Sequence, residues 1–270
     1  MTDVIMGFFF QIAATVGVIA LFGFIISLLR RGFCALAPKN GPRILLLTGI
    51  VGTPIHELSH ALMCLVFGHK ITEIKLYEPN SQDGTLGHVS HSYNKKNIYH
   101  QIGNFFIGTA PVLLGGAFIL LLMALLTPSS YEAVTVGIEG LSFIGFTDFT
   151  VGEYFEFVWG SIIAVFSSDT LSSWQGWVFI LLAIMIASHM EMSGADIKNS
   201  SLGFLFLAIL LLLVDGVVYL ISPEALESMN SAAASVGLIL SAFLSVSMLF
   251  LLGLVILGLL FKGLAAIFKR

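Results

Sequence analysis

The chain has 270 residues, of which 57% are hydrophobic and only 10% are charged. Soluble domains carry about 25% charged residues, so this composition excludes an ordinary globular domain in water and indicates a protein whose solvent is the lipid bilayer. The net charge of −4 argues against a nucleic-acid partner. The two cysteines, Cys34 and Cys64, are too few for a disulfide scaffold.

Five apolar stretches are long enough, or nearly so, for a transmembrane helix, which needs about 20 residues. They are residues 4–29, 44–67, 102–126, 202–221 and 236–261. A sixth stretch, residues 174–190, is shorter but uncharged, whereas residues 157–166 are too few to cross and indicate an interfacial or re-entrant segment. The sequence therefore predicts one all-α polytopic membrane domain over residues 1–270, with about six transmembrane helices.

The segment after the second stretch has a different character. Residues 71–77 mix β-branched, aromatic and polar side chains, residues 79–84 are dense in turn formers, and residues 85–93 suit a returning strand. Backbone N–H and C=O groups without hydrogen-bond partners are energetically unfavourable in hydrocarbon, so this segment is not expected to be exposed to lipid tails. We predict a small membrane-associated β-hairpin between the second and third transmembrane helices.

Basic residues predict the orientation, because loops rich in Lys and Arg stay on the cytoplasmic side. The hairpin segment carries four lysines and residues 127–171 carry no basic residue, so the hairpin is expected inside and the later loop outside. Four basic residues precede the second stretch and break this alternation: Arg30, Arg31, Lys39 and Arg43. A helix start at Thr53-Pro54 would leave the second segment only partly inserted and is one solution. We favour six crossings of the plasma membrane with both termini inside.

The second stretch contains the sequence His56-Glu57-Leu58-Ser59-His60. Histidines at i and i+4 of a helix face one way, so both imidazoles can bind one metal ion. The glutamate beside them is placed to take a proton from an attacking water and pass it to a leaving amine. Polar and ionisable side chains raise the free energy of a segment inside the bilayer, and where they occur there they usually have a function. The pattern predicts a Zn²⁺ site with Glu57 as the catalytic base.

Cys64 continues the stripe of the two histidines at i+8, where a small packed side chain is favoured over a thiolate ligand. Four further histidines lie in polar loop sequence, where solvated side chains are expected: His69, His88, His91 and His100.

Residues 52–61, Gly-Thr-Pro-Ile-His-Glu-Leu-Ser-His-Ala, resemble the active-site helix of the site-2 protease family of intramembrane zinc metallopeptidases. In that family the zinc helix is followed by a membrane-associated β-hairpin. A core helix with a Gly-Pro break comes next, and a further core helix supplies an Asp ligand. The hairpin segment and residues 109–111, Thr-Ala-Pro, stand in corresponding places. The resemblance implies a zinc-protease core over about residues 44–203 that hydrolyses transmembrane segments of other proteins. The remaining helices would be accessory: residues 4–29, 202–221 and 236–261.

The family's usual third-ligand motif, Leu-Asp-Gly preceded by Asn and Pro, is not present in its usual setting. The first candidate to replace it is residues 188–196, in which His189, Ser193 and Asp196 would share one stripe of a helix that continues the fourth stretch. Asp196 would then be the third metal ligand. His189 would be near enough to hydrogen-bond a developing oxyanion.

The second candidate is Asp215 within Val214-Asp215-Gly216. This segment has the Asp-Gly of the motif after an aliphatic residue, but it lies in the middle of an apolar stretch. Helix lengths place Asp215 deeper in the bilayer than the zinc helix's second histidine, whereas Asp196 is expected at a similar depth. We favour Asp196 as the ligand and leave His189 and Asp215 as alternatives.

A second family is also similar. Membrane metalloproteases of the prenyl-protein and heat-shock type have a comparable zinc helix, and their third ligand is a Glu four residues before an Asp. Glu191 lies five residues before Asp196, which ranks this interpretation second. The rival from another class is a non-hydrolytic metal-binding transporter or receptor, which would not need Glu57. The sequence favours an intramembrane zinc endopeptidase, with the lipid bilayer and membrane-protein substrates as its partners.

Overall fold

The computed structural model describes residues 2–37, 40–82, 84–148 and 150–267, and most of them are helical. In chain order the elements are α1 (Thr2–Ile12), α2 (Val18–Leu36), α3 (Gly41–Val66), β1 (Lys70–Lys75), β2 (His88–Ser92), α4 (Ile98–Leu126), α5 (Pro128–Asp148), α6 (Val151–Val165), α7 (Ser168–Ser172), α8 (Trp174–Ala187), α9 (Gly194–Ile221) and α10 (Pro223–Ile267). A π-helical turn, Ala13–Gly17, joins α1 to α2.

Among the described residues, four helical segments are long and apolar enough to cross a membrane: Thr2–Leu36, Ile98–Leu126, Gly194–Ile221 and Pro223–Leu260. Trp174–Ala187 is apolar but shorter. These helices indicate a membrane protein and agree with the predicted helical architecture. The predicted count of six crossings is not confirmed, because the polar residues of the histidine motif leave α3 less apolar than the four. The orientation and the plasma-membrane location stay predictions.

Helix α3 runs unbroken from Gly41 to Val66 and holds Pro54 in its interior. The alternative in which a helix starts at Thr53-Pro54 is therefore excluded, and the apolar stretch of residues 44–67 lies almost entirely in α3. The helix instead begins with Pro42 in its first turn, where a missing amide hydrogen costs least. An interior proline removes one helical hydrogen bond, and the packing of α3 against α4 and α8 holds the helix together across that gap.

Residues 188–193, between α8 and α9, are not part of a helix. The prediction that His189, Ser193 and Asp196 share a stripe of one continuous helix is therefore wrong. Ser193 caps a new helix: its hydroxyl accepts a hydrogen bond from the Asp196 backbone N–H, and the Asp196 carboxylate accepts one from the Ser193 N–H. This capping box places Asp196 in the first turn of α9.

The two strands form an antiparallel hairpin between α3 and α4, as the turn-rich segment predicts. Ile71 lies opposite His91 and Ile74 lies opposite Val89. Both strands contact α3, and the Tyr77 hydroxyl donates a hydrogen bond to the Leu46 carbonyl of that helix. The hairpin is therefore fixed beside the histidine motif.

The segment expected to be an external loop with a short re-entrant run is largely helical. Helices α5 and α6 pack on one another and on α10, and residues 157–165 belong to α6. The physical reason is a capping box in which Thr150 and Glu153 satisfy each other's backbone amides, so the helix starts well before the apolar run.

Helices α4 and α9 approach closely at two glycines. A Cβ on Gly108 would lie 2.1 Å from the Ser200 hydroxyl oxygen and 2.5 Å from the Asp196 carbonyl oxygen. A Cβ on Gly203 would lie 2.1 Å from the backbone nitrogen of Phe105. Small residues allow such backbone contact between membrane helices. The first turn of α9 therefore packs directly against α4. Helix α4 also contains Pro111 in its interior.

We expect Gly203→Ala to destabilise the protein, because the added methyl group meets backbone that can move only if the helices separate. Overpacking typically costs about 1–3 kcal/mol. The matched control is Gly216→Ala in the same helix, where a Cβ meets nothing within 4 Å and where stability should be unchanged or slightly higher. Thermal unfolding in detergent compares the two variants, and equal midpoints would contradict this packing.

Candidate metal centre

The two histidines of the motif lie one turn apart on α3, and a backbone carbonyl from another segment holds each ring. The Nδ1 of His56 donates to the His189 carbonyl oxygen at 2.7 Å, and the Nδ1 of His60 donates to the Ile107 carbonyl oxygen at 2.7 Å. A carbonyl can only accept, so in each neutral ring Nδ1 carries the proton and Nε2 carries a lone pair. Such contacts fix the tautomer and orientation that a metal ligand needs.

The two Nε2 atoms point at each other, 3.1 Å apart. The Asp196 carboxylate completes the group, with oxygens 3.3 Å from the His60 Nε2 and 4.0 Å from the His56 Nε2. Lone pairs and a carboxylate in this arrangement repel one another unless a cation lies between them. In a tetrahedral site with bonds of about 2.0–2.1 Å, ligand atoms lie about 3.3 Å apart. The three residues predicted as ligands therefore form a group that could hold a metal ion.

A cavity of about 390 Å³ opens beside these ligands. Glu57 lines it and is only 5% exposed. The opposite wall is the segment that leads into β2, and a Cβ on Gly87 would come within 3.0 Å of the Glu57 Cγ. A glycine at this position therefore leaves room for the glutamate between the ligand group and the hairpin.

His189 lies in the break between α8 and α9, and its ring faces α3. Its Nε2 is 3.0 Å from the Thr48 hydroxyl and 3.1 Å from the Leu45 carbonyl oxygen, and its Nδ1 is 3.4 Å from the Thr53 hydroxyl. Both ring nitrogens thus have partners on that helix, while the backbone carbonyl orients His56. The hydrogen bond from His189 to an oxyanion stays a prediction.

Asp215 is fully buried in a different polar cluster, between α1, α9 and α10. The Gln11 amide donates to the Asp215 carboxylate at 3.2 Å and to the Asn230 side-chain oxygen at 2.9 Å. The structure thus brings Asp196, and not Asp215, to the histidine pair.

Sequence reasoning missed a second group, formed by Cys64, His69 and His91. His69, expected to be solvated, is only 3% exposed, and its Nδ1 lies 3.0 Å from the Nδ1 of His91. Burial lowers the pKa of His69, and burial together with the nearby His69 lowers the pKa of His91 to about 4. Both rings are therefore neutral at pH 7 and able to offer a lone pair.

No protein-family model, curated protein or solved structure matches this chain. The fold and the site define a helical protein with several helices suited to a membrane and with His, Cys and Asp groups that could bind a metal.

Proposed function

We propose that this chain is an intramembrane zinc endopeptidase, which hydrolyses peptide bonds in or near the transmembrane segments of substrate proteins. The proposal rests on the arrangement of His56 and His60, whose Nε2 lone pairs point at each other. The Asp196 carboxylate is the third possible ligand beside them, and Glu57 lines the adjoining cavity. Two His and one Asp supply three protein ligands and leave a fourth position of a tetrahedral ion open.

The chain's own residues divide the chemistry between them. When bound, a zinc ion polarises the scissile carbonyl and favours ionisation of the attacking water. Glu57 would accept the proton of that water and then deliver it to the leaving amine, as a general base and general acid. His56 and His60 hold their orientation through the His189 and Ile107 carbonyls, so the ligand geometry is set before substrate arrives.

The hairpin suits a role in binding an unwound substrate. In the part of the chain that the structure describes, β2 pairs only with β1, and the residues that lead into β2 line the cavity. A transmembrane helix hides its amides in its own hydrogen bonds, so it must unwind before cleavage. The free edge of β2 could then pair with the extended segment and carry its scissile bond toward Glu57.

The prenyl-protein and heat-shock type of metalloprotease would require a glutamate as the third ligand. Glu191 forms an ion pair with Arg30 at the side of the cavity, and the carboxylate beside the histidine pair is Asp196. This arrangement favours the site-2 type of ligand set. A non-hydrolytic metal-binding protein would use the same ligands, and only a cleavage assay separates it from a peptidase.

The test is cleavage of single-span reporters by the purified full chain in liposomes. We expect the zinc-loaded protein to cut, a chelator to stop cleavage and added zinc to restore it, because the proposed reaction needs the ion to polarise the scissile carbonyl and to ionise the attacking water. Mass spectrometry of the fragments should place the cut in or near the apolar segment. Zinc-loaded protein that leaves every reporter intact would favour a non-hydrolytic function, and cleavage that survives verified metal removal would exclude a metallopeptidase.

A further inference from the structure

The end of helix α3 holds the side chains of Cys64 and His69 close together. The His69 backbone N–H donates to the Cys64 carbonyl at 2.8 Å, and the Gly68 N–H donates to the Leu65 carbonyl at 3.2 Å. Gly68 has a φ of +68°, which a glycine adopts without strain. These are the two hydrogen bonds of a Schellman motif, in which the residue after the glycine folds back over the last turn of the helix.

The register of the hairpin adds a third side chain. Ile71 lies opposite His91, and alternate residues of a strand share a face, so His69 and His91 lie on the same face of the hairpin. Their Nδ1 atoms are 3.0 Å apart. Tyr93 stacks on the His69 ring, with centroids 4.7 Å apart, and fixes that ring in place.

The donor atoms of this group match those of a zinc site. The Nε2 of His69 donates to the His100 carbonyl oxygen at 2.9 Å, so in the neutral ring its Nδ1 carries the lone pair. One ligand atom from each of Cys64, His69 and His91 lies within 4.8 Å of the other two. Cys64 is fully buried, and a set of one thiolate and two imidazoles suits zinc among the common divalent cations.

We propose that Cys64, His69 and His91 form a second zinc site, which shares no ligand with the group of His56, His60 and Asp196 although His91 also lines the cavity beside that group. On binding, the thiol loses its proton to solvent and the sulfur and the two imidazole nitrogens coordinate the ion. The three ligands come from a helix end, a turn and a strand, so the ion cross-links β2 to α3. This cross-link does not depend on the proposed peptidase activity, and the three protein ligands leave a fourth position for water.

The test replaces the metal of the purified full chain with Co²⁺ in detergent. A thiolate ligand produces a sulfur-to-cobalt charge-transfer absorption in the near ultraviolet, whereas the group of His56, His60 and Asp196 offers only nitrogen and oxygen donors. We expect this absorption in the wild-type protein, together with two cobalt ions per chain. Bound cobalt without the absorption would overturn the proposal and leave a hydrogen-bonded histidine pair beside a packed cysteine.

Four variants make the result specific. Cys64→Ala should lose the absorption and one ion, while Cys34→Ala, at the only other cysteine, should change neither. His91→Ala, at a half-buried strand position, should weaken the absorption even if the buried Cys64→Ala variant folds poorly. Asp196→Ala should lose one ion and keep the absorption, so failure of either site is seen separately. An absorption that survives Cys64→Ala would contradict the second site.

Discussion

A Glu57→Gln variant should retain bound zinc and lose cleavage of membrane-embedded reporters by a factor of about 10²–10⁴ or more, the range that general acid–base groups contribute. Glutamine has nearly the same shape as glutamate but cannot accept the proton of the attacking water. The residue lines the cavity without belonging to the group that could hold the metal, so its loss should separate chemistry from metal binding.

The matched control for this variant is Glu78→Gln. Glu78 is half-exposed on the hairpin, where it pairs with Lys75, and exposed pairs of this kind contribute little to stability. Its activity should stay at the wild-type value. Activity is measured as fragment released per unit of zinc-containing protein. Near wild-type cleavage by Glu57→Gln would refute the assignment of the base, and loss of zinc along with activity would make Glu57 a structural residue.

Asp196→Ala should lose the zinc of the histidine pair together with activity. Changes to residues that only orient a ligand typically weaken metal binding by about 10–100-fold, and removal of a ligand should exceed that range. Asp215→Ala should keep its zinc, because Asp215 contacts Gln11 in a separate cluster. The zinc content of the two variants is compared after dialysis against a series of chelator concentrations.

Asp196 also caps α9, so two more variants separate the ligand from the cap. Ser193→Ala removes the capping hydroxyl, which costs about 0.5–2 kcal/mol of stability, and should leave zinc affinity unchanged. Asp196→Asn keeps an acceptor for the Ser193 N–H and should still weaken zinc binding. If Ser193→Ala loses zinc as completely as Asp196→Ala, the carboxylate acts through the helix start and is not a ligand.

The pairing of His56 with His60 could be predicted from sequence because it depends only on the period of one helix. Asp196 could be proposed from depth in the membrane, but its structural setting could not, since the continuous helix expected there is replaced by a capping box. The Ser193-x-x-Asp196 pattern that forms this box is present in the sequence and was a usable signal.

Two other features depend on contacts between distant segments. A helix start at Thr53-Pro54 stayed open as an alternative because the sequence does not show that neighbouring helices support Pro54 in the interior of α3. The proximity of Cys64 and His69 follows from Gly68, but His91 joins them only through the register of the hairpin. Gly68 directly after an apolar helix was the local signal for the first of these contacts.

The proline inside α4 explains how a carbonyl becomes available to His60. In a regular helix the carbonyl of residue 107 accepts from the N–H of residue 111, four positions on. Residue 111 is proline and has no N–H, so the Ile107 oxygen lacks that partner and accepts from the His60 ring instead. The His189 oxygen is available to His56 for a related reason, because α8 has already ended. The orientation of both imidazoles therefore depends on two places where regular helical hydrogen bonding stops, at Pro111 inside α4 and at the C-terminal end of α8.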